Sequence, residues 1–138
     1  MEVPRVRVTR FDHIVINCTD VETTAAWYAR VLGMTRETFG PAGRTALTFG
    51  RQKINLRPIT ATQDEWFTGR AAAAGSDDLC FVTESSPAEV REHLAACGAN
   101  IEVGPVTKTG ALGEMTSHYC RDPDGNLIEI AVYPNGTA

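Results

Sequence analysis

The chain has 138 residues, of which 43% are hydrophobic, and a formal charge of −4. That is enough for one ordinary domain with a real core, too few residues for two independent ones, and too apolar for a disordered chain. Arg5, Arg7 and Arg10 form the only basic cluster, and no apolar run approaches the ~18 residues of a membrane span, so neither nucleic acid nor a membrane is expected as the partner.

Val3 to Arg10 alternates Val6 and Val8 against Arg5 and Arg7, the pattern of a leader strand. Phe11 to Cys18 is β-rich, with His13, Val15 and Asn17 on one face and Ile14 and Ile16 on the other. Asp20 is suited to cap a helix over Val21 to Leu32, stopped at Gly33, with Val21, Ala25, Tyr28 and Leu32 as its core stripe. Met34 to Phe39 and Thr45 to Phe49 read as strands joined by Gly40 to Gly43, and Lys53 to Ile59 as a third. Residues 60–76 are polar and read as a connector with one helical turn at Asp64 to Thr68; Trp66 and Phe67 stand out there as candidates to seal a cleft or an interface. Asp78 to Thr83 is again β-rich. Ser86, Pro87 and Glu89 form a capping box with proline at the first helical position, predicting a helix to about Cys97 that ends at Gly98. Ile101 to Val106 reads as a strand and Thr107 to Gly113 as a loop. Asp122-Pro123-Asp124-Gly125 then marks a tight turn between two β-rich runs, a hairpin spanning His118 to Tyr133. Four scattered cysteines without CxxC spacing read as free thiols, and the lack of a signal-peptide segment points to a soluble cytoplasmic protein.

The two halves repeat one order: strand, helix, glycine stop, three strands. Asp78 follows His13 by 65 residues, His93 follows Tyr28 by 65, and Gly98 follows Gly33 by 65. Asn55 then corresponds to Glu129, 74 residues on, with the nine extra residues placed in the 103–115 region. The expected fold is α+β, two paired βαβββ modules (about 10–59 and 77–133, joined by 60–76) whose mixed sheet curls around a cleft. In the last strand Leu127, Glu129 and Ala131 share one face, so Glu129 is a carboxylate set in an apolar strand. It needs a cation or donors to meet it. Alternation puts Arg57 on the face of Asn55, which makes an Arg57–Glu129 ion pair one candidate and a shared metal ion another.

FDHIVI near the start, the helix end YARVLGM, and YCRDPDGNLIEI near the end resemble the vicinal oxygen chelate superfamily, which includes glyoxalase I, extradiol dioxygenases and the fosfomycin- and bleomycin-resistance proteins. FGRQKINL and SDDLCFVT further resemble its small glyoxalase-domain-containing, virulence-associated-like subgroup. The resemblance covers roughly residues 10 to 133. It implies a divalent metal on strand residues that chelates two neighbouring oxygens of a substrate. His13 stands at the first ligand position and Glu129 at the last; Asp78 takes the place of the usual second histidine. Asn55 stands where glyoxalase I has a carboxylate, Arg57 where the subgroup tends to have histidine, and Tyr119 where a tyrosine lines the pocket of extradiol enzymes.

A set of His13, Asp78 and Glu129 is hard and oxygen-rich, suiting Mn²⁺, Mg²⁺ or Ni²⁺, with Zn²⁺ or Fe²⁺ as alternatives. In that reading Glu129 and Tyr119 are catalytic, while Asn55, Arg57 and Lys108 contact substrate. The implied activity is that of a glyoxalase-type lyase or isomerase acting on a small vicinal-oxygen compound, in a homodimer. The alternatives are a non-catalytic protein that binds an antibiotic or metabolite, and an extradiol-type dioxygenase.

Overall fold

A computed structural model describes residues 5–134. Strand β1 (His13–Cys18) leads into helix α1 (Val21–Leu32), followed by β2 (Thr35–Phe39), β3 (Arg44–Phe49) and β4 (Gln52–Pro58). After the connector come β5 (Asp78–Val82), α2 (Pro87–Ala96), β6 (Val103–Gly110), β7 (Gly113–Arg121) and β8 (Leu127–Val132). Two four-stranded mixed sheets result, ordered β1-β4-β3-β2 and β5-β8-β7-β6. In each, the first strand runs parallel to the last and the rest pair antiparallel. The βαβββ repeat is therefore present twice, but as two separate sheets rather than one continuous sheet. β1 and β5 each keep one edge without a strand partner.

Both helices start and stop for the reasons read in the sequence. The Asp20 side chain accepts from the Thr23 amide, and Gly33 takes the left-handed conformation at φ 68° that lets the α1 chain turn away. The Ser86 and Glu89 side chains cap α2 reciprocally. The α1 stripe is rotated slightly from expectation: Thr24, Ala25, Tyr28 and Val31 are buried, while Val21 and Leu32 lie at its margin.

Three expectations need correction. Residues 5–12 form no strand, and Val3 lies outside the described residues. The connector has a turn closed by the Trp66 amide on the Thr62 carbonyl at 2.9 Å, two residues earlier than read. Residues 107–113 are not a loop but the far end of the β6–β7 hairpin, with Lys108 opposite Met115 and Thr109 opposite Glu114. The hairpin can close over its neighbours because Gly110 has no side chain; a Cβ there would collide with Tyr133 Oη and Met115 Sδ. These longer strands, eight and nine residues against five and six in β2 and β3, absorb the extra length of the second module.

One apolar core spans both modules. Ile16, Tyr28, Leu47 and Leu56 from the first meet Val90, Leu94, Ile128 and Ile130 from the second. Phe49 and Phe81 pack edge to face at 5.5 Å between centroids. The polar seam is centred on Asp122. This buried carboxylate accepts from Tyr28 Oη at 2.7 Å, Asn126 Nδ2 at 2.7 Å, the Asp124 amide at 2.9 Å and the Asn126 amide at 3.0 Å. Asp124 reaches back to the Thr19 amide at 3.1 Å, and Asn126 Oδ1 accepts from the Asp77 amide at 2.9 Å. The turn motif therefore ties module two to the first turn of α1. No helix among the described residues is long and apolar enough to cross a membrane.

Asp122→Ala strips the acceptor from four donors and should cost about 3 kcal/mol. Tyr28→Phe leaves the carboxylate one donor short and should cost about 1–2 kcal/mol. Urea titrations read by circular dichroism measure both, and negligible losses in the pair would deny Asp122 its role.

A second test concerns His118, on the helix-facing side of β7. It is buried, and neither ring nitrogen has a hydrogen-bond partner. Burial, with help from the Arg91 charge, holds its pKa below the ordinary 6.5. The unfolded chain therefore binds the proton more readily, so this stability is complete above about pH 6.5 and is lost as the pH falls below it. His118→Leu should flatten the dependence of urea midpoint on pH between about pH 7 and pH 5. An unchanged slope would show that His118 contributes nothing to acid lability.

Candidate functional site

On the face of sheet two turned away from the helices, alternation along β8 presents Leu127, Glu129 and Ala131. Glu129 is buried, and its Oε2 accepts from Ser117 Oγ at 2.6 Å. Its register neighbours are Tyr119 in β7 and Cys80 in β5. Asp78 opens β5 on the same face, exposed to solvent. Met115, Ala131 and Tyr133 form a small apolar floor beside these groups. Lys108 lies beyond Tyr119, with Nζ 5.9 Å from the ring centroid.

The electrostatics of this face follow from burial and, after it, from Glu129. Desolvation first, then the adjacent Glu129 carboxylate, pushes the Tyr119 phenol up to about 12. Desolvation, Glu129 and Asp78 push the Cys80 thiol up to about 12 as well. At neutral pH both groups keep their protons. Tyr119 is thus a hydrogen-bond donor, and Cys80 is a poor nucleophile despite its exposure.

The matching face of sheet one is built differently. Asn55, the counterpart of Glu129, is buried between Val15 and Ala46, its register neighbours. His13 is half-exposed, with Nδ1 2.7 Å from Asp12 Oδ1. That contact holds the Asp12 carboxyl below its usual range. It also leaves the other ring nitrogen unengaged, the posture of a histidine that meets a ligand through Nε2. Arg57 is fully buried and donates to Asn17 Oδ1 at 2.7 Å, the Ala61 carbonyl at 2.6 Å and the Trp66 carbonyl at 3.1 Å. Trp66 is buried in turn, under the Arg44 guanidinium at 4.1 Å from its ring centroid.

The expected residues therefore fall into two half-sites. Glu129, Tyr119 and Asp78 share module two, with Lys108 further out; His13 and Asn55 share module one. The Arg57–Glu129 ion pair does not form, because the arginine's length carries its guanidinium to the connector carbonyls. His13, Lys53, Asp78 and Cys80 line one groove of about 590 Å³, walled by Phe11, Phe49 and Phe81. Glu129 is not among its walls, and among the described residues no three His, Cys, Asp or Glu side chains gather to hold a metal ion. The donors of a single chain therefore do not fit the divalent ion that the sequence resemblance implies. Ser117 was not singled out from the sequence, though alternation from Tyr119 puts it on the Glu129 face.

Comparison with known proteins agrees with this fold. The family model of the glyoxalase/bleomycin resistance protein/dioxygenase superfamily matches residues 10–130. The chain is 44% identical over 128 residues to virulence protein STM3117 of Salmonella typhimurium, covering 91% of this chain and 85% of that one. It is 45% identical over 128 residues to the glyoxalase domain-containing protein RDO1 of Mycosarcoma maydis, covering 91% and 69% respectively. Among solved structures, the integron cassette protein VCH_CASS1 of V. cholerae superposes with a TM-score of 0.88 at 43% identity, over 94% of this chain and 98% of that one.

The thiol of Cys80 offers a direct test of the field around Glu129. Its alkylation by iodoacetamide at neutral pH should be slow for an exposed cysteine, and Glu129→Gln, which removes the neighbouring negative charge, should lower its pKa and speed the reaction. Mass-spectrometric peptide mapping follows the residue, and equal rates in both proteins would show that Glu129 does not govern this face.

Proposed function

This chain belongs to the glyoxalase/bleomycin resistance protein/dioxygenase superfamily, and on that premise we propose that it is a glyoxalase-type lyase or isomerase acting on a small compound with neighbouring oxygens, in a cleft that two copies of the chain complete together. The observation that carries the reading is the state of Glu129: a buried carboxylate whose Oε2 accepts from Ser117, set beside the Tyr119 phenol and the Cys80 thiol, both of which keep their protons at neutral pH. That is the equipment for moving a proton next to a carbonyl. Glu129 Oε1 takes the proton from the carbon, the carbonyl oxygen gathers the negative charge, and the Tyr119 hydroxyl donates to it. Returning that proton to the former carbonyl carbon, while the neighbouring hydroxyl gives its proton to the former carbonyl oxygen by way of Tyr119, completes an isomerisation with no net change in protons. The buried Asn55 amide supplies a neutral hydrogen-bonding group on the opposite half-site.

The division of donors supports a cleft shared between copies. The His13 imidazole belongs to module one and the carboxylates to module two, so a second copy is needed to bring an imidazole to Glu129 without remodelling the core. The metal ion implied by the family is then a property of the assembly.

A second reading, a non-catalytic protein that holds a small apolar metabolite or antibiotic, is favoured by the floor of Met115, Ala131 and Tyr133 and by Asn55 standing where a carboxylate is expected.

Calorimetric titration of dialysed protein with Mn²⁺ or Ni²⁺, alongside turnover of α-oxoaldehyde hemithioacetals, separates the two. The enzyme reading expects saturable ion uptake and turnover, both lost in Glu129→Gln, with turnover reduced about 10²-fold or more in Tyr119→Phe. Absence of both ion uptake and turnover in the unaltered protein would leave the binding reading in its place.

A further inference from the structure

The arm ahead of β1 and the outer edge of β5 are both left uncovered. Residues 5–12 pair with no strand, and all of them are exposed. Val6, Val8 and Phe11 are 82%, 92% and 73% exposed. A Val-Arg alternation is the pattern of a strand with one dry and one wet face, and a single chain gives it neither. Among the described residues β5 pairs with β8 alone, which leaves one line of its backbone N–H and C=O groups without a strand partner. Such an edge is a template for another strand.

We propose that the arm of one copy lies along the free edge of β5 in a second copy, and that the exchange is reciprocal. The two patterns match face for face. β5 shows Leu79 and Phe81 on one side, and Asp78, Cys80 and Val82 on the other, with the exposed Glu84 continuing the second. Setting Val6 and Val8 against the Leu79–Phe81 side places Arg5 and Arg7 on the side of Asp78 and Glu84. Two arginines of the arm thereby meet the side of the strand that carries Asp78 and Glu84, a complementarity that also bears on which edge is chosen. β2, an open edge of sheet one, carries its own Arg36. Eight residues of arm at ~3.3 Å each reach about 26 Å, longer than β5. The arm enters β1 at His13, and Phe11 just before it lines the groove into which β5 looks, so docking draws the His13 of one copy toward the Asp78 end of the other. A twofold arrangement satisfies both orphan surfaces at once. The inference rests on the two-copy cleft proposed above and names the surface that builds it.

The test is the paired substitution Val6→Asp and Val8→Asp. Both valines are exposed in the single chain, so the fold should survive, as circular dichroism will check. Sedimentation equilibrium should find the unaltered protein dimeric and the variant dissociating at least about 100-fold more readily, with tighter association of the unaltered protein at low salt. Mixing a chain carrying only Arg7→Cys with a chain carrying only Val82→Cys, two positions the arrangement places on one face, should yield a mixed disulfide under mild oxidation. A variant that dimerises as tightly as the parent overturns the arm contact while leaving the two-copy cleft standing. A disulfide found only when both cysteines sit on one chain also overturns it, since the arm would then dock on its own β5. A parent that stays monomeric at every concentration overturns both.

Discussion

The fold depends on one buried carboxylate. Asp122 sits at the exit of β7, far in sequence from α1, and binds the Tyr28 hydroxyl across 94 residues. A carboxylate removed from water is tolerable only when donors surround it, and here four do. Two come from its own turn, one from Asn126 and one from the other module. The same turn delivers Asp124 to the start of α1 and Asn126 to the start of β5. The relative placement of the sheets, and thus of their open edges, follows from satisfying this one acid.

Much of the architecture was legible in the sequence because it is written in local chemistry. Asp20, Gly33, Ser86, Glu89 and Gly98 mark helix ends by what their side chains or their lack of one can do. The 65-residue spacing exposed the repeat, and alternation put Glu129 with Ala131 and Asn55 with Arg57 correctly. What stayed hidden was partnership. The DPDG motif reads as a turn, and nothing local says that its first acid clasps a tyrosine in another module. Arg57 was placed on the right face, yet a long side chain is free to reach sideways, and the connector carbonyls took it. The β6–β7 hairpin was read as a loop because Thr107 to Gly113 is polar and rich in glycine, although Lys108 and Thr109 lie in regular register. The division of site residues into two half-sites could not be read at all, since strand pattern reports faces and says nothing of how two sheets are turned relative to each other.

The two modules show how one scaffold diverges chemically without changing shape. Equivalent positions carry Glu129 and Asn55, Asp78 and His13, Cys80 and Val15. One half carries carboxylates and a thiol at these positions, the other an amide, an imidazole and an apolar side chain. In an assembly of identical chains, unlike halves are an advantage: each cleft made by joining module one to module two contains every group once, and all clefts are the same.

The capture of the connector by Arg57 has a kinetic meaning as well. A linker of the 60–76 type would ordinarily act as a loose leash, letting module two sample positions on a neighbouring molecule. Pinning Ala61 and Trp66 to a guanidinium rooted in β4, with Trp66 buried beneath Arg44, shortens that leash to its last ten or so residues. The modules of one chain therefore see each other at a far higher effective concentration than any module of a second chain. Wholesale exchange of modules, a common accident of duplicated folds, is discouraged at its hinge.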